Sequence, residues 1–126
     1  GNGNNIISFD TKSVIGKPIY CSPQIYKLQN KLTDQCFDAQ KTDIWSFGVC
    51  LFIMAIGCPP WQMPDERNNK LYQTIVIEKN LDFVLKAWKR SNYINDGMKD
   101  ILNKIFVNNE EERISTKDII KHHWII

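Results

Sequence analysis

The hydrophobic pattern has a helical period in several places and is continuous in one. Residues 43–56 are apolar almost all the way round a helix, with Trp45, Phe47, Leu51, Phe52 and Ile53 facing different directions. A helix of that kind has to be covered on every side, which makes it the axis of the fold. Gly57-Cys58-Pro59-Pro60 ends it, because glycine suits a left-handed cap and prolines cannot continue the hydrogen-bond ladder. Further on, Met98, Ile101, Leu102, Ile105 and Phe106 follow the i, i+3, i+4, i+7, i+8 rule behind Asn95, a side chain suited to capping a helix start. Ser115 opens a last helix, with Asp118 completing a partial capping box and Ile114 and Ile119 at staple positions. Ile119, Ile120 and Trp124 are expected on its buried face.

Between these, residues 70–78 form a short helix with Leu71, Tyr72 and Ile75 on one face, and residues 81–88 a further turn or helix. The β-branched residues of 72–77 lack a period of two, so no strand is expected there. Residues 61–69 read as a polar loop anchored by Trp61, and residues 8–24 as an irregular but packed segment. Residues 1–5 are glycine and asparagine only, too polar to bury anything. Gly1-Asn2-Gly3 is no phosphate cradle, since no strand precedes it, no helix follows and the third glycine is missing. The fold class is mainly α with long loops.

Composition narrows the function classes. At 126 residues the chain is one compact unit or part of one. Hydrophobic residues at 43% and charged residues at 24% suit an ordinary globular protein, and a net charge of +2 is too slight to imply a nucleic-acid or membrane partner. The longest apolar stretch falls short of the roughly 20 residues that span a bilayer. Cys21, Cys36, Cys50 and Cys58 contain no C-x-x-C pair. They read as free thiols of an intracellular, cytoplasmic protein, and no zinc or other metal site is expected from them with His122 and His123.

Four motifs in order carry a resemblance. Gly16-Lys17-Pro18-Ile19-Tyr20-Cys21-Ser22-Pro23-Gln24 is similar to the end of the activation segment of eukaryotic-type protein kinases, G-T-x-x-Y-x-A-P-E. Asp43-Ile44-Trp45-Ser46-Phe47-Gly48-Val49 fits that family's D-x-W-S-x-G-V, and Gly57-Cys58-Pro59-Pro60-Trp61 resembles its G-x-P-P-F. Asn109-Glu110-Glu111-Glu112-Arg113-Ile114-Ser115, followed by His122-His123-Trp124, looks like its P-x-x-R-x-[ST] and H-P-W close. The resemblance implies the helical C-terminal lobe of a serine/threonine kinase, truncated within its activation segment and similar in its G-x-P-P-W ending to the calmodulin-dependent group. Residues 1–13 would be an activation-segment remnant or mobile tail, 14–38 the substrate-binding end of that segment, and 39–126 the helical lobe.

The resemblance also assigns roles. Val14, Gly16, Lys17, Pro18 and Cys21 fall at substrate-binding positions, with Val14, Pro18 and Cys21 around an apolar substrate residue that follows the phosphorylated one. Asp43 is implied as a tether to the catalytic loop, and Trp45 as a structural anchor in the central helix. Arg113 is implied as the buried partner of the last residue of A-P-E, which here is Gln24. A neutral acceptor loses the charge-assisted pairing, so a looser anchor is expected, with Glu110 or Glu111 supplying the missing charge. Ser13 and Thr11 stand where an activating phosphate would be carried. Lys17 replaces the hydroxyl residue that faces the catalytic aspartate, and an ammonium there would disturb proton acceptance. That departure supports an alternative parent, a pseudokinase or scaffold lobe that binds proteins without catalysis.

The glycine-rich loop, strand lysine, catalytic loop and D-F-G motif are absent from these residues. No catalytic residue is therefore assigned to the chain, and ATP and magnesium are cofactors of the intact parent alone. The expected partners are a protein substrate and whatever covers the central helix: the missing N-terminal part of the kinase domain, or another copy. With the family's preceding helix absent, Trp45, Phe47, Leu51, Phe52 or Ile53 would leave an apolar patch exposed.

Overall fold

A computed structural model describes residues 17–122. The first helix, α1 (Pro23–Gln29), starts where the Ser22 side chain accepts a hydrogen bond from the Ile25 N–H. Pro23 fills the first helical position, where its missing N–H satisfies no intrahelical bond in any case. Only Pro23 and Ile25 of this helix are buried, too few for a periodic stripe, so the Ser-Pro pair is its local signal.

The second helix, α2 (Ala39–Ile56), is capped by the Asp38 carboxylate, which accepts from the Gln40 and Lys41 N–H groups. It therefore begins ahead of Asp43, which lies inside the helix and is exposed. Gly57 ends it at φ 98°, and Arg90 Nη1 donates to the Ile56 carbonyl at 2.6 Å, satisfying one of the last carbonyls. Next, α3 (Lys70–Tyr72) widens into a π-helical turn (Gln73–Ile77), and α4 (Leu81–Ala87) leads through a 3₁₀ turn (Ser91–Tyr93) to α5 (Asp96–Ile105) and α6 (Thr116–Lys121). Asn95 and Ser115 cap α5 and α6 by accepting from the N–H groups of Met98 and Asp118. The described residues contain no strand, and none of their helices is long and apolar enough to cross a membrane.

The core lies where α2 crosses α5. Trp45, Val49, Phe52 and Ile56 pack with Ile101, Leu102, Ile105 and Phe106, and Trp61, Tyr72 and Leu85 close the cluster. Gly48 permits that crossing: a Cβ there would stand 2.5 Å from Ile105 Cγ2 and 3.1 Å from the Phe106 ring. The motif's glycine is thus demanded by helix approach.

Two sequence expectations are corrected here. The uncovered part of α2 is narrower than expected, because Trp45 and Phe52 are fully buried and Leu51 and Ile53 half-buried. What faces outward is a stripe of Asp43, Phe47 and Met54, with half-buried Cys50 in register. On α6, Ile119 alone takes the buried side; Ile120 is exposed, since a helix this short turns its next residue away from the core. Trp124 lies outside the described residues.

Candidate functional site

Lys17 opens a tight turn, its carbonyl accepting from the N–H groups of Tyr20 and Cys21 at 3.0 Å each. The Tyr20 carbonyl accepts in turn from Ser46 Oγ at 3.0 Å, so α2 holds the turn directly. Lys17 is exposed and Pro18 is exposed beside it. Cys21 is fully buried, its thiol donating to the Pro18 carbonyl at 3.7 Å, and burial pushes its pKa up to about 12. That thiol is inert at neutral pH and packed inside the turn. Val14, Gly16, Ser13 and Thr11 lie outside the described residues.

α1 is fastened to the lobe through Gln24. Arg113 Nη2 donates to Gln24 Oε1 at 2.9 Å, and Gln24 Nε2 donates to the Asn108 carbonyl at 2.7 Å. The guanidinium is buried and has no carboxylate within ion-pair distance among the described residues. Carbonyl oxygens solvate it instead: Nε and Nη2 donate to Val107, and Nη1 to Lys41 at 3.0 Å. Its face lies 4.7 Å from the Trp45 ring, an arrangement that suits a weakly hydrated planar cation. Burial pulls the Arg113 pKa down to about 10, while Tyr72, Glu110 and Asp38 act the other way. It stays protonated at neutral pH. Glu110 thus contributes at a distance, its carboxylate accepting from the Asp38 N–H, whereas Glu111 is not among these influences.

Three residues of this anchor carried no legible signal. Lys41 Nζ donates to the carbonyls of Glu110 and Arg113 at 2.8 and 2.7 Å, pinning the Arg113 loop to the start of α2. Tyr72 is fully buried, and its hydroxyl donates to Asn108 Oδ1 at 2.6 Å. Asn108 therefore accepts from both α1 and α3. Trp45, fully buried, holds the centre, with ring centroids 5.5, 6.0 and 5.3 Å from Trp61, Tyr72 and Phe106.

Two grooves border the anchor. One of about 400 Å³ is polar and runs past Gln24, Tyr26 and Asp65; Asp65 accepts from Arg67, Asn68 and Tyr26. The other, of about 600 Å³, lies between the turn and α3, with Ile19, Pro59, Trp61 and Leu71 as its apolar walls. Ile19, not Cys21, presents the turn's apolar side chain to this groove. Among the described residues no three His, Cys, Asp or Glu side chains come together to hold a metal ion.

The sequence pattern of the protein kinase domain matches residues 2–125. The serine/threonine-protein kinase SAPK2 of Oryza sativa subsp. indica is 28% identical over 123 residues, covering 98% of this chain and 33% of that protein. The serine/threonine-protein kinase SRK2H of Arabidopsis thaliana is 34% identical over 119 residues, covering 91% of the chain and 29% of that protein. Calcium-dependent protein kinase 27 of Oryza sativa subsp. japonica is 29% identical over 112 residues, covering 89% and 16%. The chain thus spans about a third, or less, of the length of these relatives. With an all-helical described fold, the four motifs in place and a match over nearly the whole chain, the protein belongs to the protein kinase domain family.

Proposed function

We propose that the chain is the helical, substrate-binding lobe of a serine/threonine protein kinase whose intact domain transfers the ATP γ-phosphate to protein hydroxyls with magnesium. The observation that carries this reading is the Gln24–Arg113 anchor. A segment matching the kinase substrate-binding end is tied to the central helix by a buried arginine. The lobe presents the acceptor protein; the reacting groups belong to motifs outside these residues. On this reading Asp43, exposed on the uncovered stripe of α2, is the tether for the part of the domain that packs there.

Lys17 favours a second reading, a lobe that binds proteins without turnover, because its exposed ammonium occupies the position of the hydroxyl that would face a catalytic aspartate. Phosphate transfer from labelled ATP to serine- and threonine-containing peptides separates the two. The chain alone should incorporate none. A longer form that carries a catalytic-loop aspartate and a D-F-G motif should incorporate label, and Lys17→Thr should raise its rate. A longer form that binds such peptides but transfers nothing, with or without Lys17→Thr, supports the scaffold.

A further inference from the structure

The groove between the turn and α3 has a chemical character that the family resemblance does not assign. Among its lining residues Lys70 is the one ionisable side chain. Lys70 is exposed, and its ammonium enters no ion pair or side-chain hydrogen bond among the described residues. Next to it, Asn69 uses its Oδ1 to accept from the Tyr72 N–H at 2.9 Å, which leaves its amide NH₂ to donate elsewhere. Trp61 is buried in the wall, and its indole Nε1 has no hydrogen-bond partner among the described residues. The Trp61 Nε1 itself is buried, so the groove combines apolar walls with the Asn69 amide as a spare donor and a positive charge.

The neighbouring groove has the opposite balance. Asp65, Glu66, Glu110 and Glu111 line it against Lys27 and Arg67, and Lys27 is already paired with Glu66 at 3.4 Å. Asn68 stands between the two, its NH₂ held by Asp65 at 2.9 Å. An acidic side chain would be repelled on one side of Asn68 and attracted on the other.

We infer that the groove between Ile19 and Lys70 binds a protein segment in which an apolar side chain is followed by a carboxylate. The apolar residue lies against Ile19, Trp61 and Leu71, Lys70 takes the carboxylate, and Asn69 donates to an oxygen of the segment. This deepens the reading of the lobe as a protein-binding surface and rests on it. Lys70 becomes the residue that sets charge preference.

Fluorescence anisotropy with the full 126-residue chain and three labelled peptides, identical except for Leu-Asp, Leu-Asn or Leu-Lys at one place, tests it. Leu-Asp should bind about twofold to fivefold more tightly than Leu-Asn, the range of a solvent-exposed ion pair. Leu-Lys should bind weakest. Lys70→Ala should abolish the difference and Lys70→Glu should invert it, both with an unchanged circular dichroism spectrum, since Lys70 is exposed. The Trp61 indole N–H resonance should shift on binding. Equal binding of the three peptides, or a preference that survives Lys70→Ala, overturns the charge assignment and leaves protein binding standing. Binding that leaves Trp61 unshifted overturns the location. No binding of any peptide overturns both.

Discussion

Arg113 Nη2 donates to Gln24 Oε1 across 89 residues of chain while Gln24 Nε2 donates to the Asn108 carbonyl, so one amide serves both a buried cation and a backbone acceptor. Glutamic acid at this position would gain a charge-assisted bond to the guanidinium, which is worth about 1 kcal/mol more than a neutral one. It would also set a carboxylate oxygen against the Asn108 carbonyl and lose that bond, at a similar cost. Gln24→Glu should therefore leave the melting temperature at pH 7 unchanged or lower it. Gln24→Ala, which leaves Arg113 Nη2 short of an acceptor, should cost about 1–3 kcal/mol. A clear gain in calorimetric stability for Gln24→Glu would show that the charge outweighs the second bond.

Gly48 is the most restrictive position of the core. A methyl group there meets Ile105 Cγ2 at 2.5 Å, and overpacking of a helix crossing costs about 1–3 kcal/mol. Gly48→Ala should lower the denaturant midpoint without changing the slope. Combined with Ile105→Ala, which clears the space, it should cost less than the two single changes added together. Strict additivity would place the obstruction elsewhere.

Asp65 makes the loop after α2 sensitive to acid. The Asn68 side chain, followed by the Arg67 and Asn68 N–H groups and the Tyr26 hydroxyl, holds its carboxyl below the ordinary 3.8 against an opposing effect of burial. A depressed folded pKa stabilises the protein fully above the unfolded value and loses that contribution as pH falls through the folded one. Asp65→Asn should therefore be less stable than the parent by about 1–2 kcal/mol at pH 7. The gap should shrink as pH falls below about 4. A gap constant from pH 7 to pH 2 in thermal melts would remove the charged state from the explanation.

The stripe of Phe47 and Met54 on α2, the latter 81% exposed, is where the chain on its own should stick to itself. Light scattering at high concentration should report dimers or larger species. Phe47→Glu with Met54→Glu should yield monomers without lowering the melting temperature, because neither side chain is fully buried. A parent chain that is already monomeric contradicts this.

Much of the fold was legible because its helices announce themselves by side-chain chemistry that acts over a few residues. Asn95, Ser115 and Gly57 cap the elements their types suggested. The start of α2 was placed late because Asp38, Ala39 and Gln40 are polar or small and add nothing to a hydrophobic stripe; the capping carboxylate was the better marker. α1 was missed for a related reason, since its buried residues are only Pro23 and Ile25. At the candidate site, Gln24 and Arg113 could be paired through family motifs alone. Asn108, Tyr72 and Lys41 could not, because their contacts are to carbonyls and one amide far away in sequence, and no local pattern encodes such partners. The burial of Cys21 and the place of Ile19 at a groove both depend on the backbone conformation of the turn, which residue type does not reveal.

Amide hydrogen exchange on the chain and on Arg113→Lys addresses most directly the claim that α1 and the turn before it are locked to a buried central helix. Lysine keeps the charge but cannot reach Gln24, Val107 and Lys41 together. In the parent, α2 should exchange slowest and α1 should be protected. In the variant, α1 should lose about tenfold or more of its protection, in keeping with a lost bond to a charged group, while α2 keeps most of its own. Rapid exchange along α2, or α1 protection indifferent to Arg113→Lys, would contradict it.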